Sequence, residues 1–387
     1  IVLKMHKKLI ALISATILIS SSLIGCVGNK SNSNKVINVF NCGDYIDEEL
    51  ITKFEEETGY KVEYSTYDTN EIMYSKIKSG SNKYDLVFPS DYMIEKMINE
   101  GMAEKINFDN IPNYKYIDEK FKNLSYDPNN EYSVPYMWGT IGIIYNPEIV
   151  KEEVKSWDIL WDKKYDKEII MFNSVRDTMA IALSKLGYSM NSTNPEEIKQ
   201  AADILIEQKP IVKAWFVDQV KDAMINDEAA LATVWSGDAN YIISENPKLE
   251  YVVPEEGSNK WFDAMVIPKD APNKEGAEAF INFLTDPENS LQNVDYIQYY
   301  TPNWKTYEML DDEVKESYPT DETLDNCEVF KDLDRDSLKI YDDEWIRIGS
   351  TSTNNSTSPS LLGFLGMGLV LGIFILLILY LLKKFKK

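Results

Sequence analysis

The chain has 387 residues, of which 63 are acidic and 40 are basic, so its formal net charge at pH 7 is −23. A strongly acidic chain repels phosphate backbones and anionic lipid and concentrates cations around itself, which argues against nucleic acid as a partner. All of the acidic residues lie between residues 26 and 360. A region of that length exceeds one typical hydrophobic core, so we expect two domains.

The histidine content excludes several classes of enzyme. His6 is the only histidine, and it lies in a segment that we expect to be removed. The rest of the chain therefore cannot form a Ser-His-Asp or Cys-His catalytic group or a histidine-ligated metal site. The glycine motifs of phosphate and dinucleotide binding are also missing from the sequence. We expect a protein that is not an enzyme and that uses no metal and no cofactor.

Residues 1–25 have the form of a secretory signal, in which lysines precede an apolar stretch that ends in Leu-Ile-Gly-Cys. This tetrapeptide resembles a bacterial lipobox, which would make Cys26 the lipidated first residue of the mature chain. Residues 26–35 would then form a polar tether. The alternative is an ordinary cleaved signal or an uncleaved anchor.

The next segment alternates between strands and helices. Residues that follow predicted strand ends include Asp44, Tyr45, Ser90 and Tyr92. A βαβαβα order predicts a mostly parallel sheet, and such sheets bind ligands beyond the carboxyl ends of their strands. The predicted strands span 36–40, 61–67 and 84–88, and the predicted helices span 48–58, 70–79 and 91–99.

A second alternating set begins past residue 138 and predicts a second α/β unit. Its predicted strands span 169–172, 213–217, 231–234, 249–253 and 262–267. Its predicted helices span 178–186, 195–207, 220–225 and 274–284.

Outside the predicted signal and lipidation site, the sequence has two cysteines, Cys42 and Cys327. They either form a disulfide or remain two separate thiols.

The C-terminal end predicts a membrane anchor. The stretch that begins at Leu361 and ends at Leu382 has 22 uncharged residues, and at ~1.5 Å per residue it would span roughly 33 Å, enough to cross a bilayer. Four lysines within residues 383–387 place that end in the cytoplasm by the positive-inside rule. Residues 349–360 form a polar linker before the helix.

Aromatic and acidic residues are the candidate ligand contacts. Each of the aromatic candidates is expected in or just after a predicted strand. Aromatic faces attract ammonium groups and carboxylates accept their hydrogen bonds, so the combination predicts a site for a flexible organic cation such as a polyamine. The candidate walls are Tyr45, Tyr92, Trp235, Trp261 and Tyr299, and the candidate anionic groups are Asp44, Asp177 and Asp263.

Several motifs, in order, resemble the spermidine/putrescine-binding proteins that serve polyamine ABC importers. The resemblance covers 36–307 and continues weakly to 345. The motifs are NCGDY (41–45), FEEETG (54–59), YDLVFPS (84–90), VPYMWGT (134–140), ALSKLGY (182–188), WSG (235–237), WFD (261–263) and YTPN (300–303).

The resemblance implies the two-lobed α/β fold of type II periplasmic binding proteins, in which a hinge of crossing strands lets the lobes close on a ligand. The first lobe would comprise 36–137 and 262–307. The second lobe would comprise 138–261 and 308–348. The function implied is an extracellular receptor that delivers putrescine, spermidine or both to the permease of an ABC importer. The two predicted anchors at the ends of the chain would attach this receptor to the membrane.

The resemblance also implies roles for the candidate residues. Family aromatics at the positions of Tyr45, Trp235, Trp261 and Tyr299 enclose the methylene chain of the ligand. Family carboxylates at the positions of Asp44, Asp177 and Asp263 bind its amines, and residues at the positions of Ser90 and Tyr92 add polar and wall contacts. The further candidates are Cys42, Gly43, Ser174 and Phe330.

Three of these further candidates depart from the family pattern. Cys42 stands where the family usually has a tryptophan, Ser174 stands where spermidine binders have an added aspartate, and Phe330 aligns with a glutamine. The loss of one carboxylate would favour putrescine, or it would leave spermidine with a more hydrated end, and the sequence does not decide between them.

Two other functions are compatible with parts of the sequence. The chain could be a polyamine sensor that signals through helix 361–382 to a membrane partner. The pair Tyr299 and Tyr300 is also similar to the tyrosine pair of iron-binding relatives, although the absence of histidine outside the signal argues against iron.

Overall fold

The computed structural model describes residues 35–80 and 83–351. The predicted signal, the lipidation site Cys26, most of the linker, helix 361–382 and the lysine tail lie outside these residues. Within the described ranges, no helix has both the length and the apolar character needed to cross a membrane.

The first part of the chain forms three strands and three helices, largely with the predicted bounds. The pairs β1–β2 and β1–β3 are parallel, as the alternating order predicts. Helix α1 begins after the capping side chain of Asp47 and ends at Gly59, whose positive φ of 73° suits glycine. These elements are β1 (Val36–Cys42), α1 (Glu48–Thr58), β2 (Lys61–Tyr67), α2 (Asn70–Ser79), β3 (Leu86–Val87) and α3 (Asp91–Asn99).

The longest strand, β4 (Ser133–Tyr145), has 13 residues, and all but its last are buried. We did not predict it as a strand, because a strand buried on both faces lacks the alternation of apolar and polar residues. Short 3₁₀-helices precede and follow it at Phe108–Asn110, Pro112–Tyr116, Glu119–Phe121, Trp157–Trp161 and Lys163–Tyr165.

The second set of elements follows β4. Strand β5 pairs in parallel with both β6 and β7. The elements are β5 (Ile169–Phe172), α4 (Val175–Lys185), α5 (Pro195–Gln208), β6 (Val212–Phe216), α6 (Gln219–Ile225), β7 (Leu231–Trp235), α7 (Ser236–Glu245) and β8 (Glu250–Val252).

The chain then returns through β9 and continues as helices, most of which we did not predict. These elements are β9 (Lys260–Val266), α8 (Lys274–Leu284), α9 (Pro287–Ile297), α10 (Trp304–Met309), α11 (Asp312–Glu316), α12 (Asp321–Asp325) and α13 (Arg335–Ser350).

Strand β4 joins two half-sheets into the two-lobed α/β architecture. Its residues 133–140 pair with β9 in the first half-sheet (β1, β2, β3 and β9), and its residues 141–145 pair with β7 in the second (β5, β6, β7 and β8). The pairs of β4 and the pair β3–β9 are antiparallel, so the sheet is mixed rather than mostly parallel. The lobe boundaries expected at 137/138 and 261/262 fall inside β4 and β9.

Candidate functional site

A cleft of ≈ 970 Å³, including its open mouth, lies where strands of both half-sheets end. Every candidate from the sequence lines this cleft. They are Asp44, Tyr45, Ser90, Tyr92, Asp177, Trp235, Trp261, Asp263 and Tyr299, with Cys42, Gly43, Ser174 and Phe330.

Strand β9 points Asp263 into the cleft and its neighbour Phe262 the other way, where Phe262 lies 6.5 Å from the ring of Trp138. Asp263 Oδ2 accepts a 2.7 Å hydrogen bond from the Tyr45 hydroxyl. Asp263 Oδ1 is out of solvent and has no hydrogen-bond partner among the described residues. Burial raises the pKa of Asp263 to about 6, although the hydroxyls of Ser90 and Tyr45 lower it. We call Asp263, Tyr45 and Ser90 the Asp263 corner.

The first turn of α4 places Asp177 in the cleft. The Ser174 hydroxyl donates to Asp177 Oδ2 over 2.5 Å. Burial raises the pKa of Asp177 to about 6, while Ser174, Arg176 and Trp235 lower it. A carboxylate in a first helical turn is favoured by the helix dipole, so the position stabilises a charge that burial disfavours.

Asp238, in the first turn of α7, is a cleft carboxylate that we did not predict. It is 5% exposed, its Oδ1 accepts a 2.9 Å hydrogen bond from the Tyr299 hydroxyl, and its Oδ2 is buried without a partner among the described residues. Burial raises its pKa to about 6, although Lys221 and Tyr299 lower it. A signal existed, since Asp238 lies about one helical turn beyond Val234, where the predicted strand ends.

Lys221, on α6, is a second cleft residue that we did not predict. Its Nζ lies 2.9 Å from Asp44 Oδ2, 3.8 Å from Asp218 Oδ1 and 3.9 Å from Asp238 Oδ1. Burial lowers the pKa of Lys221, but Asp238, Asp44 and Asp218 outweigh burial and raise it above its ordinary value. Asp44, expected as a ligand carboxylate, is thus paired with the protein's own ammonium group. We call Asp238, Lys221, Asp44, Asp218 and Tyr299 the Asp238 corner.

Aromatic rings enclose the space between these carboxylates. Tyr299 contacts Tyr45 edge to face at 5.2 Å and Trp261 at 5.5 Å, while Trp235 is supported by Phe172 at 4.7 Å. Tyr299 follows helix α9, so our expectation that every wall residue follows or lies in a strand is wrong for this residue. A glycine at 237 permits its packing, because a Cβ there would lie 2.3 Å from the Tyr299 ring.

Arg176 is a buried cation in the lining of the cleft. The guanidinium of Arg176 lies 4.9 Å from the ring centre of Tyr92 and 4.7 Å from that of Phe330. The Tyr92 hydroxyl donates to Glu71 over 2.9 Å. Stacked side chains therefore line this part of the cleft.

The two cysteines are separate free thiols rather than a disulfide. Cys42 is half-buried at the end of β1 and Cys327 is buried. Burial raises the pKa of Cys42, and the neighbouring charges of Asp263 and Asp218 raise it further. Among residues 35–80 and 83–351, no group of three or more His, Cys, Asp or Glu side chains is placed to hold a metal ion.

Two α/β half-sheets that share one long strand, with a cleft of carboxylates and aromatic rings between them, define a two-lobed solute-binding protein. The chain belongs to the bacterial extracellular solute-binding proteins, because the family model of that description matches residues 49–320.

Relatives and solved structures agree with this family. The spermidine/putrescine-binding periplasmic protein of Salmonella typhimurium is 36% identical over 330 residues, which cover 84% of this chain and 94% of the relative. A solved structure from Listeria monocytogenes is 43% identical, with a TM-score of 0.80 over 82% of this chain and 99% of its own. The substrate-binding protein of a spermidine/putrescine ABC transporter from Streptococcus pneumoniae is 42% identical, with a TM-score of 0.70 over 81% and 98%.

Proposed function

We propose that this protein is the receptor of a polyamine importer and that it binds putrescine or spermidine in the cleft. The observation that carries the proposal is Asp263 Oδ1, a buried carboxylate oxygen that faces the cleft without a partner among the described residues. Such an oxygen is costly to keep out of water unless a cation or a donor reaches it. A ligand ammonium group supplies both.

The aromatic walls favour a cation with a methylene chain. Trp235, Trp261 and Tyr299 offer ring faces and edges to the space beside Asp263. Ammonium groups and the polarised methylenes next to them are attracted to such rings by roughly 0.5–2 kcal/mol each. Charge-assisted hydrogen bonds to carboxylates such as Asp263 add about 1.5–3 kcal/mol each.

The fold supports capture by closure. Asp263 and Tyr45 lie in the lobe of the first half-sheet, Asp177 and Trp235 lie in the lobe of the second, and β4 runs through both half-sheets. Rotation about this connection brings the two sets of contacts together around a ligand and separates them for release. The cycle consists of binding and release without a chemical step, so no enzyme activity is proposed.

The relatives support delivery to a permease, because one of the solved structures is the substrate-binding protein of an ABC transporter. Attachment of the receptor to the outer face of the membrane through a lipid on Cys26 and through helix 361–382 is part of the proposal. Both attachments rest on the sequence outside the described residues.

Calorimetric titration of the full-length protein tests the proposal. Putrescine, cadaverine, spermidine and spermine are the ligands, and a neutral sugar and a short neutral peptide are the controls. We expect saturable binding at micromolar concentration or tighter to at least one polyamine and none to the controls. Absence of binding to all four polyamines would overturn the proposed function.

A further inference from the structure

Lys221 places an ammonium group of the protein itself inside the cleft. Its side chain is 15% exposed, and its Nζ lies between 2.9 and 3.9 Å from oxygens of Asp44, Asp218 and Asp238. A ligand amine would need the same surroundings, since an ammonium group that leaves water requires carboxylates in direct contact. Lys221 therefore occupies the Asp238 corner as a ligand amine would.

We infer that Lys221 sets the number of amines that the cleft accepts, because it fills one anionic corner with the protein's own ammonium group. Asp263 and Asp177 then remain for the ligand. The cleft would select a diamine over a triamine, an inference that rests on the proposed function and names its substrate class.

Asp238 gives the Asp238 corner a free hydrogen-bond acceptor in addition to the ion pair with Lys221. Its side chain faces the cleft and is 5% exposed, yet Oδ2 has no partner among the described residues. A buried carboxylate with one free oxygen can accept another donor without breaking the bond from Tyr299 to Oδ1. Without the charge of Lys221, three neighbouring carboxylates would be left without a cation, and a third ligand ammonium group would be attracted there.

Lys221 and Asp44 also come from opposite lobes, so an alternative role for their contact is that of a latch that only favours closure. The two roles make different predictions. A latch changes the fraction of closed protein, and hence the affinities of all ligands by one common factor. A residue that fills an amine site changes the ratio of affinities between a diamine and a triamine.

The test is calorimetric titration of the full-length protein with putrescine and with spermidine. The variants are Lys221→Met, which removes the charge, and Lys221→Arg, which keeps it. Lys199→Met is the matched control, because Lys199 lies on a helix of the same part of the chain and pairs with an aspartate at 2.8 Å outside the cleft. We expect Lys221→Met to shift the ratio of affinities toward spermidine at least tenfold, Lys221→Arg to shift it less than Lys221→Met does, and Lys199→Met to leave it within about twofold of the wild type.

An unchanged ratio in Lys221→Met, or an equal change for both ligands, would overturn the inference and leave the proposed function standing. A wild-type protein that prefers spermidine would do the same. A wild-type protein that binds neither ligand would overturn both. Thermal unfolding checks that each variant is folded. If Lys221→Met is not, Lys221→Gln replaces it, since glutamine removes the charge and can still donate to Asp44.

Discussion

The Asp263 corner and the Asp238 corner share an arrangement in which a tyrosine hydroxyl donates to one carboxylate oxygen and the other oxygen is buried without a partner among the described residues. The rings of the two tyrosines, Tyr45 and Tyr299, contact each other at 5.2 Å. Burial raises the pKa of both aspartates to about 6. The corners differ in that Lys221 approaches Asp238 to 3.9 Å, whereas no described lysine or arginine forms a salt bridge with Asp263.

A cationic ligand gains most from binding at a carboxylate that has no protein cation beside it. A buried carboxylate without a cation destabilises the unliganded protein, so a ligand ammonium group that reaches it relieves that cost and gains a charge-assisted hydrogen bond. A carboxylate that already has a protein ammonium group nearby offers less. We therefore expect the affinity to depend strongly on Asp263 and weakly on Asp44.

The largest effect is expected for Asp263→Asn, which removes the charge and keeps the shape. Polyamine affinity should fall by roughly 30-fold or more, equivalent to about 2 kcal/mol, because a buried ammonium group loses its carboxylate. The unliganded variant should unfold at the same temperature as the wild type or higher, because it no longer buries an unpaired charge. Calorimetry and thermal unfolding measure the two quantities.

Asp127→Asn is the matched control for this variant. Asp127 is a buried aspartate outside the cleft lining, and its carboxylate accepts hydrogen bonds from Glu131, Tyr132 and Ser133. Its substitution should lower stability and leave polyamine affinity unchanged, which is the opposite pattern. Unchanged affinity in Asp263→Asn would remove Asp263 from the site.

Acid should weaken binding by tenfold or more between pH 7.5 and pH 5. The pKa values of Asp263 and Asp177 are both about 6 in the unliganded protein, so both carboxyls are mostly protonated at pH 5 and attract ammonium weakly. Binding near pH 6 should release protons, which titrations in buffers of different ionisation enthalpy detect. An affinity that is constant across this range would contradict the assignment of ionised Asp263 and Asp177 to the ligand.

Stability should change with pH in the other direction. The folded pKa of Asp263 is about 6, whereas an unfolded aspartate titrates near ~3.9. The folded protein therefore binds more protons between these values. The contribution of Asp263 to stability is present below about pH 4 and is lost as the pH rises through 6. The difference between the unfolding curves of the wild type and Asp263→Asn isolates this contribution.

Trp235→Leu should weaken polyamine binding by about fivefold, because one cation–π wall contributes ~1 kcal/mol when it is partly exposed. Trp215→Leu is the control, since Trp215 is also half-buried and contacts an aromatic ring, that of Trp345 at 5.8 Å, but does not line the cleft. Calorimetric titration of both variants gives the comparison. Equal losses in the two variants would show that the effect comes from the fold and not from the wall.

Much of the fold could be predicted from local pattern. The bounds of α1, α2, α3 and α8 are confirmed, because each has a capping residue or a clear apolar period. Strand β4 could not be found in this way, because burial on both faces removes the alternation that marks a strand. The antiparallel pairing at the centre of the sheet depends on contacts far apart in sequence.

The same limit of local sequence pattern applies to the cleft. Single residues such as Trp261 and Asp263 were predicted from residue type and family motif, and the structure places them in one cleft. The environment of each carboxylate could not be predicted, because it depends on which side chains from distant parts of the sequence approach it. Lys221 lies in a sequence typical of an exposed helix, and only the tertiary structure brings it to Asp44 and Asp238.

Asp44→Asn should have the smallest effect, at most about threefold in polyamine affinity. The Asp44 side chain is 69% exposed and its Oδ2 accepts the hydrogen bond from Lys221. Exposed ion pairs contribute about 0.2–1 kcal/mol, and Lys221 would still lie near Asp218 and Asp238. Titration with putrescine beside Asp263→Asn gives the ratio of the two effects for the same chemical change. A tenfold loss in Asp44→Asn would mean that a ligand ammonium group reaches Asp44 directly, and Lys221 would then have to move away from Asp44 on binding.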